Sequence, residues 1–573
     1  MAGLEVTVML GLAIVVGTVL APRLRMATPL VLLVIGLLLG FVPALREVQL
    51  PPETVLLLFL PVLLFRESWT TSLRSVRRSL RYIVPMSTLL VVASAFAVAG
   101  IAAAMGLPWP AALILGAAVA PPDATAVGAL GRLLPTRTLM KLKAESLTND
   151  GTALVIYAIA VSIAVGGQVT PLTVTATVLL SYLGGAAAGI VTAALAAAAL
   201  RRMHASLTIN LTMLLVPFAA FLLAELISAS GVLAVVFAGL IVAWFAPRIT
   251  TAASRRQADA AWPLGVYALN GALFVLIGLE VQFVLHDISP SEIGWLLLVT
   301  VAAWVALLVV RYLFQMLFSP FTSGRPSGST AGSRHRARVV STIAGFRGAV
   351  SLAIALSVPL STEAGAPLAG RDAVVFVTAG VIVLSLLVQG PLLPAVVRWA
   401  RLPGDGAEQD ELEIAQRAIS TAALAALDEI AEAEHIHDDV RDRARREGYE
   451  QLELANAKAL ARQRAAEDAA IAALESMLED DSADVAPTPP LGGSSSSGSL
   501  EMLTAQGPVD LAQRSPLTRH EEATRLKLAL IQRKREVLLK LRRDGTVDDL
   551  IVRRLQASLD VDEIRLRGPE RFD

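Results

Sequence analysis

Glu145-Ser146-Leu147-Thr148-Asn149-Asp150-Gly151-Thr152-Ala153 places two carboxylates, an amide and three hydroxyls at the head of a segment that is otherwise apolar to Val165. Oxygen donors of this kind suit a proton or a small hard cation rather than a soft metal. On a helix, Ser146 lies at i−4 of Asp150, on the same face. If the segment crosses a bilayer, an ionised Asp150 costs several kcal/mol and marks a functional site. A soluble helix could open with the same letters, so the surrounding solvent decides what they mean.

Composition identifies that solvent. Of 573 residues, 55% are hydrophobic and 17% charged, the signature of a polytopic membrane protein. The absence of cysteine excludes disulfides, thiolate metal sites and cysteine nucleophiles. Neutral overall charge hides a division: 24 basic and 35 acidic residues from Arg401 onward, against 25 and 14 before it. A basic membrane part is followed by an acidic soluble part. The acidic start, Met1 to Glu5, has no cleavage site after its apolar run and reads as a retained first span.

Apolar runs of spanning length recur at 5–21, 26–45, 53–65, 82–105, 108–130, 142–166, 171–199, 206–228, 231–246, 260–283, 292–318, 339–359 and 372–399, about 13 transmembrane helices. Roughly twenty Lys and Arg between these spans fall on one side, and only Arg46 and Arg371 on the other. That asymmetry puts the N-terminus outside and the tail in the cytoplasm. Gly36 with Gly40, and Gly185 with Gly189, are small-xxx-small pairs expected at helix crossings.

Ionisable residues deep in spans are few: Asp123, Glu145, Asp150, Glu225, Glu280, Arg311 and Arg347. All six histidines fall in loops, at span ends or in the tail, which argues against a histidine proton relay or metal site. Pro121-Pro122 precede Asp123 in mid-span and break its helix. Gly345-Phe346-Arg347-Gly348 interrupts a later span. Broken helices are tolerated in a bilayer only when buried in protein or lining a cavity. The breaks fall in the fifth and twelfth spans, which run in opposite directions, so the chain reads as two inverted six-helix repeats with crossed broken helices. Asp150, Ser146, Asp123 and carbonyls freed by the break would then surround a cation near mid-membrane. Arg347 needs an acid or carbonyls; Glu145 is the first choice of acid and Glu225 the second.

The expected division is a transmembrane domain over 1–400, a helical region over 401–481, a disordered linker over 482–516 and a second helical region over 517–573. Leu526, Leu528, Leu530, Ile531, Val537, Leu538 and Leu541 are its candidate packing positions. No phosphate loop, metal cluster or nucleic-acid motif appears in the tail.

Over roughly 1–400 the chain resembles the bacterial branch of the monovalent cation:proton antiporters of the sodium/hydrogen exchanger type. The most specific match is Glu145 to Ala153 with its Asn149-Asp150 pair. Supporting segments are Leu60 to Phe65, Ala118 to Asp123, Ala224-Glu225, Ser230 to Ala234, Phe274 to Leu279 and Gly345 to Val350. The resemblance implies Na+/H+ exchange by a homodimer with an elevator-like moving core, and no cofactor beyond the transported ions. It makes Asp150 the ion- and proton-carrying carboxylate and gives Asn149 a supporting role. Ser146 and Asp123 complete the ion's surroundings, and Glu145 pairs with Arg347. Many relatives have Thr-Asp-Pro where this chain has Pro122-Asp123-Ala124; Thr125 is the residue that could replace the threonine. Many also carry Glu directly after the third-span Phe, where Arg66 stands here and Glu67 follows, so no third-span ligand is assigned.

The expected mechanism is competition of Na+ and H+ for one buried carboxylate, electroneutral and one-for-one, across the plasma membrane. The alternatives are a K+ or Li+ exchanger, a channel-like conductor, and a membrane sensor that signals through its tail.

Overall fold

The structure is a computed structural model that describes residues 2–24, 26–42, 52–123, 134–167, 170–287, 289–322, 331–362, 365–402, 406–479 and 515–568. The protein is an all-α polytopic membrane protein. In chain order the membrane unit contains α1 (Ala2–Leu24), α2 (Thr28–Leu39), α3 (Pro52–Thr70), α4 (Leu73–Ser87), α5 (Leu89–Ala104), α6 (Trp109–Val119), α7 (Thr136–Val165), α8 (Pro171–Leu179), α9 (Gly185–Leu200), α10 (Ser206–Leu226), α11 (Gly231–Ile249), α12 (Ala252–Asp287), α13 (Pro290–Thr322), α14 (Ala331–Ile343), α15 (Ala349–Leu356), α16 (Arg371–Leu384) and α17 (Gly390–Ala400). Single π turns at Leu180–Gly184 and Ser385–Gln389 join α8 to α9 and α16 to α17. Among the described residues, nine helical segments are long and apolar enough to cross a membrane, and α2 and α6 are shorter apolar helices.

Local chemistry sets the ends that matter most. Ser230 caps α11 by accepting a hydrogen bond from Leu233 N–H at 3.3 Å, which satisfies one of the otherwise unpaired N-terminal donors. Gly166 ends α7 at φ +103°, a left-handed conformation that strains any residue with a Cβ. Both small-residue pairs lie at crossings. A Cβ on Gly36 would strike the Val275 carbonyl, and one on Gly40 the Gln282 side chain, so α2 and α12 approach closely; Gly185 and Gly189 do the same for α9 against Ser230 and Ala234 on α11.

Two apolar cores organise this unit. One gathers residues of α2, α5, α6, α12, α13, α15 and α16; the other gathers α3, α9, α10, α11 and the start of α12. Helix α7 lies between them, with Leu154 packed against both. The helix carrying the central acids therefore runs along the seam of the two cores.

The second compact unit comprises Ala407–Val547 and Ile551–Asp573. It contains α18 (Gly406–Ala425), α19 (Leu427–Ala433), α20 (Asp438–Glu479), α21 (Pro516–Arg543) and most of α22 (Asp549–Arg567). Ala415 and Ile419 of α18 share a core with Ile531, Leu538, Ile551 and Leu555. The helices on either side of the 482–516 stretch thus share a core within one compact unit. The stretch itself, apart from Ser515 and Pro516, lies outside the described residues. Of the candidate packing positions, Leu526, Ile531 and Leu538 are buried.

Candidate functional site

The two helix breaks meet. Pro121 and Pro122 have no N–H to return to the carbonyls of Ala117 and Ala118, and the Asp123 N–H turns away to the Phe346 carbonyl at 2.8 Å. Helix α14 stops at Ile343, and the chain runs non-helically to Gly348 before α15 begins. A Cβ on Gly348 would collide with the Asp123 carboxylate, so any larger residue here would force Asp123 to move. Arg347 ties the two breaks together. Its Nε donates to the Val119 carbonyl at 2.5 Å and its Nη2 to Ala120 at 3.2 Å, across the crossing; its Nη1 donates to Gly345 at 2.6 Å.

Helix α7 brings the central acids to this crossing. Glu145, Ser146, Asn149 and Asp150 are all buried, Asp150 with 5% of its surface exposed. Asn149 Nδ2 donates to the Pro122 carbonyl at 2.9 Å, anchoring α7 to the first break. Asn149 Oδ1 is buried and receives no hydrogen bond from the described residues, an oxygen whose desolvation is uncompensated. The Asp150 carboxylate is close enough to those of Asp123 and Glu67 to feel their charge, and no salt bridge reaches Asp150 from the described residues. No three His, Asp or Glu side chains among the described residues are close enough to hold a metal ion by themselves. One turn on, Thr152 Oγ1 donates to the Ser87 carbonyl at 2.7 Å and pairs with the Tyr182 hydroxyl at 2.6 Å, joining α7 to α4 and to the π turn after α8.

The expected Glu145–Arg347 ion pair does not form. Glu145 instead receives two hydrogen bonds from Arg311 of α13, Nη1 to Oε1 at 2.5 Å and Nη2 to Oε2 at 3.1 Å, while Arg311 Nε donates to the Ser341 carbonyl at 3.0 Å. The physical reason is that the broken helices leave carbonyls without donors, and these satisfy Arg347 without an acid. They are consequently engaged by protein donors: Arg347 on Val119, Ala120 and Gly345, Asn149 on Pro122, Asp123 on Phe346. Glu225 is exposed at the end of α10. Thr125 lies outside the described residues. Asp123, Ser146, Asn149 and Asp150 lie together around the first break and α7.

Two residues named in the sequence reading were given no role there. One is Arg311, which sits in an uninterrupted apolar helix with no local signal of its partner. The other is Glu67, half-buried on α3 and within the electrostatic reach of Asp123 and Asp150. Below it, Phe65, Trp69 and Trp262 form an aromatic cluster with ring centroids 5.7–5.9 Å apart, joining α3 to α12.

Residues 10–399 match the transmembrane model of the sodium/hydrogen exchangers. The chain belongs to the sodium/hydrogen exchanger family. It is 37% identical over 573 residues to an uncharacterised Na+/H+ exchanger of Mycobacterium tuberculosis, covering 99% of this chain and 97% of that one. It is 30% identical over 386 residues to a sodium, potassium, lithium and rubidium/H+ antiporter of Bacillus pumilus, covering 64% of this chain and 57% of the relative. Its fold resembles that of the sodium proton antiporter MjNhaP1 from Methanocaldococcus jannaschii, solved at pH 8, with a TM-score of 0.51 and 18% identity over 70% of this chain and 99% of that one. The family is one of cation/proton antiporters, transporters rather than catalytic enzymes.

Proposed function

We propose that this exchanger family member moves Na+ against H+ across the plasma membrane, one for one, for pH and sodium homeostasis, with Asp150 as the carrier of both ions. The observation that carries the reading is a buried carboxylate, unmatched by any salt bridge from the described residues, on the helix anchored to the first break. Its negative charge is costly in a low-dielectric site until a proton or a cation cancels it. Both cannot do so at once, and that competition couples the two fluxes. Ser146, Asp123 and the Asn149 amide oxygen supply further oxygens of the kind a small hard cation takes. Thr125 remains a proposed contributor on its spacing alone. Glu145 is held by Arg311, so it adds no second mobile charge, and Asn149 is neutral; this is the basis for electroneutrality.

Asp150→Asn in proteoliposomes should abolish Na+-driven proton movement while leaving folded protein in the membrane; sustained exchange by that variant defeats the assignment. Asn149→Asp should make the flux respond to membrane potential.

A second reading concerns the cation. The Bacillus pumilus relative is named for sodium, potassium, lithium and rubidium, and the same oxygens can take K+ or Li+. Pulses of NaCl, LiCl and KCl in the same vesicles separate these, and a steady ionic current would indicate channel-like conduction. The excess of Lys and Arg on one side of the spans supports an outside N-terminus and a cytoplasmic tail. A homodimer is the assembly that follows from the family likeness. Deleting 401–573 should leave transport in place, in contrast to a sensor that works through its tail.

A further inference from the structure

The second unit contains a cavity of about 310 Å³, and α18, α19, α20, α21 and α22 all contribute to its lining. Ligand pockets run about 300–1,000 Å³, so this one suits a small molecule. It lies where two apolar clusters of the unit come together: Ile531 belongs to one, and Leu427 and Leu530 to the other. Leu424 and Leu566 complete an aliphatic wall, and no aromatic ring is among the lining residues. Five charged side chains stand around it. Glu447 and Lys527 cancel each other at 2.8 Å. Lys534 of α21 is half-buried; its burial lowers the pKa of the ammonium, and Asp562 offsets part of that. Neither Lys534 nor Arg565 makes a hydrogen bond or a salt bridge with a described residue. Two cations therefore face one acid, Asp562, an excess of one positive charge. That excess runs against the chain from Arg401 onward, which carries 24 basic and 35 acidic residues.

We propose that this cavity binds a small monoanion with an aliphatic body, a medium-chain carboxylate. One carboxylate adds the single negative charge that completes the balance. It also offers acceptors to the Lys534 ammonium and the Arg565 guanidinium, whose bonds to an ionised oxygen are about twice as strong as neutral ones. A half-buried ammonium is penalised for its charge until an opposite charge joins it. The wall decides the body of the ligand. Leucine and isoleucine side chains bury an alkyl chain without directional demands, whereas a flat aromatic ligand would find no ring to stack on. An occupant would touch all five helices of the unit at once, on both sides of its two apolar clusters. None of the residues around Asp150 takes part, so the proposal is independent of the exchange reading.

The test uses full-length protein in phosphatidylcholine nanodiscs, with empty nanodiscs as the reference. Isothermal titration calorimetry reads the binding of octanoate, octanol, acetate and octyl phosphate in turn. Octanoate is expected to bind at least tenfold more tightly than octanol, which lacks the charge, and than acetate, which lacks the body. Its advantage over octanol should shrink as salt rises. Octyl phosphate carries about −1.5 to −2 charges at neutral pH and should bind no more tightly than octanoate. The double variant Lys534→Gln/Arg565→Gln should lose at least tenfold in affinity for octanoate. Asp562→Asn removes the opposing acid at an exposed position and should gain at least threefold, an outcome that damage to the fold would not produce. Hydrogen exchange on the same samples should slow in α21 and α22 when octanoate is added. Equal binding of octanoate and octanol, an unaffected double variant, tighter binding of octyl phosphate, or weaker binding by Asp562→Asn overturns the proposal. No ion flux is measured, so such a failure leaves the exchange reading standing.

Discussion

Among the described residues of the membrane unit two arginines are buried, and they are neutralised in opposite ways. Arg311 meets a carboxylate, Glu145, in a two-pronged salt bridge between continuous helices α13 and α7. Arg347 meets backbone carbonyls, three of them, at the crossing of two broken helices. In the first region a full charge is cancelled by a full charge, and removing either partner strands the other. In the second, partial charges left over by interrupted helices do the cancelling, so the arginine functions as a backbone fastener. A guanidinium inside a bilayer thus does not by itself imply an acid; a nearby helix break is an equally good counterpart.

The largest expected effect breaks the first region. Arg311→Ala should destabilise the protein by about 3–5 kcal/mol, because Glu145 is left buried and unpaired. Adding Glu145→Gln to Arg311→Met should recover most of that loss in thermal unfolding, since no lone charge remains. The second region offers no such rescue. Arg347→Lys should cost about 2–3 kcal/mol, because an ammonium cannot reach all three carbonyls and unsatisfied buried carbonyls cost about 1–3 kcal/mol each. A carboxylate substitution that restores an Arg347 variant would contradict the contrast. Gly348→Ala should cost about 1–3 kcal/mol through overpacking against Asp123 and should depress Na+/H+ exchange more than it depresses folding, measured by flux and melting temperature on the same preparation.

The smallest effect comes from an exposed pair that serves as the reference. Glu447 on α20 meets Lys527 on α21 at 2.8 Å, and the Lys527 hydrogen bond, with Arg443 adding to it, holds the carboxylate below its ordinary 4.5. A depressed carboxylate stabilises above its unfolded value, and that contribution disappears as pH falls through the lower folded value. Glu447→Gln should therefore change local hydrogen exchange in α20 by less than about 1 kcal/mol at neutral pH. The difference should vanish on acidification through the lowered folded value and shrink in high salt. Salt should leave the Arg311–Glu145 pair nearly unaffected.

The sequence was most legible where chemistry is local. Pro121-Pro122 and Gly345 to Gly348 announce helix breaks without any partner, and both breaks are present. The burial of Asp150 and Asn149 follows from their place in an apolar run. Partner choice was illegible because it belongs to packing. Glu145 and Arg311 are 166 residues apart, and nothing near Arg311 distinguishes a paired arginine from one lining a cavity. Arg347 looked acid-seeking because a sequence does not show which freed carbonyls will face it. Glu67 was obscured for a related reason: its relation to Asp150 depends on how α3 lies against the seam between the two cores.

The aromatic cluster on α3 has a practical consequence. Trp69 stands two residues after Glu67, and its ring is 5.7 Å from that of Trp262 on α12. Indole emission depends on its immediate neighbours, so a shift of one helix past the other changes the light this pair gives off. With the other five tryptophans replaced by phenylalanine, the protein would carry a native fluorophore pair on α3 and α12, two residues along α3 from Glu67. Cation binding could then be followed by eye of a spectrometer, without a dye.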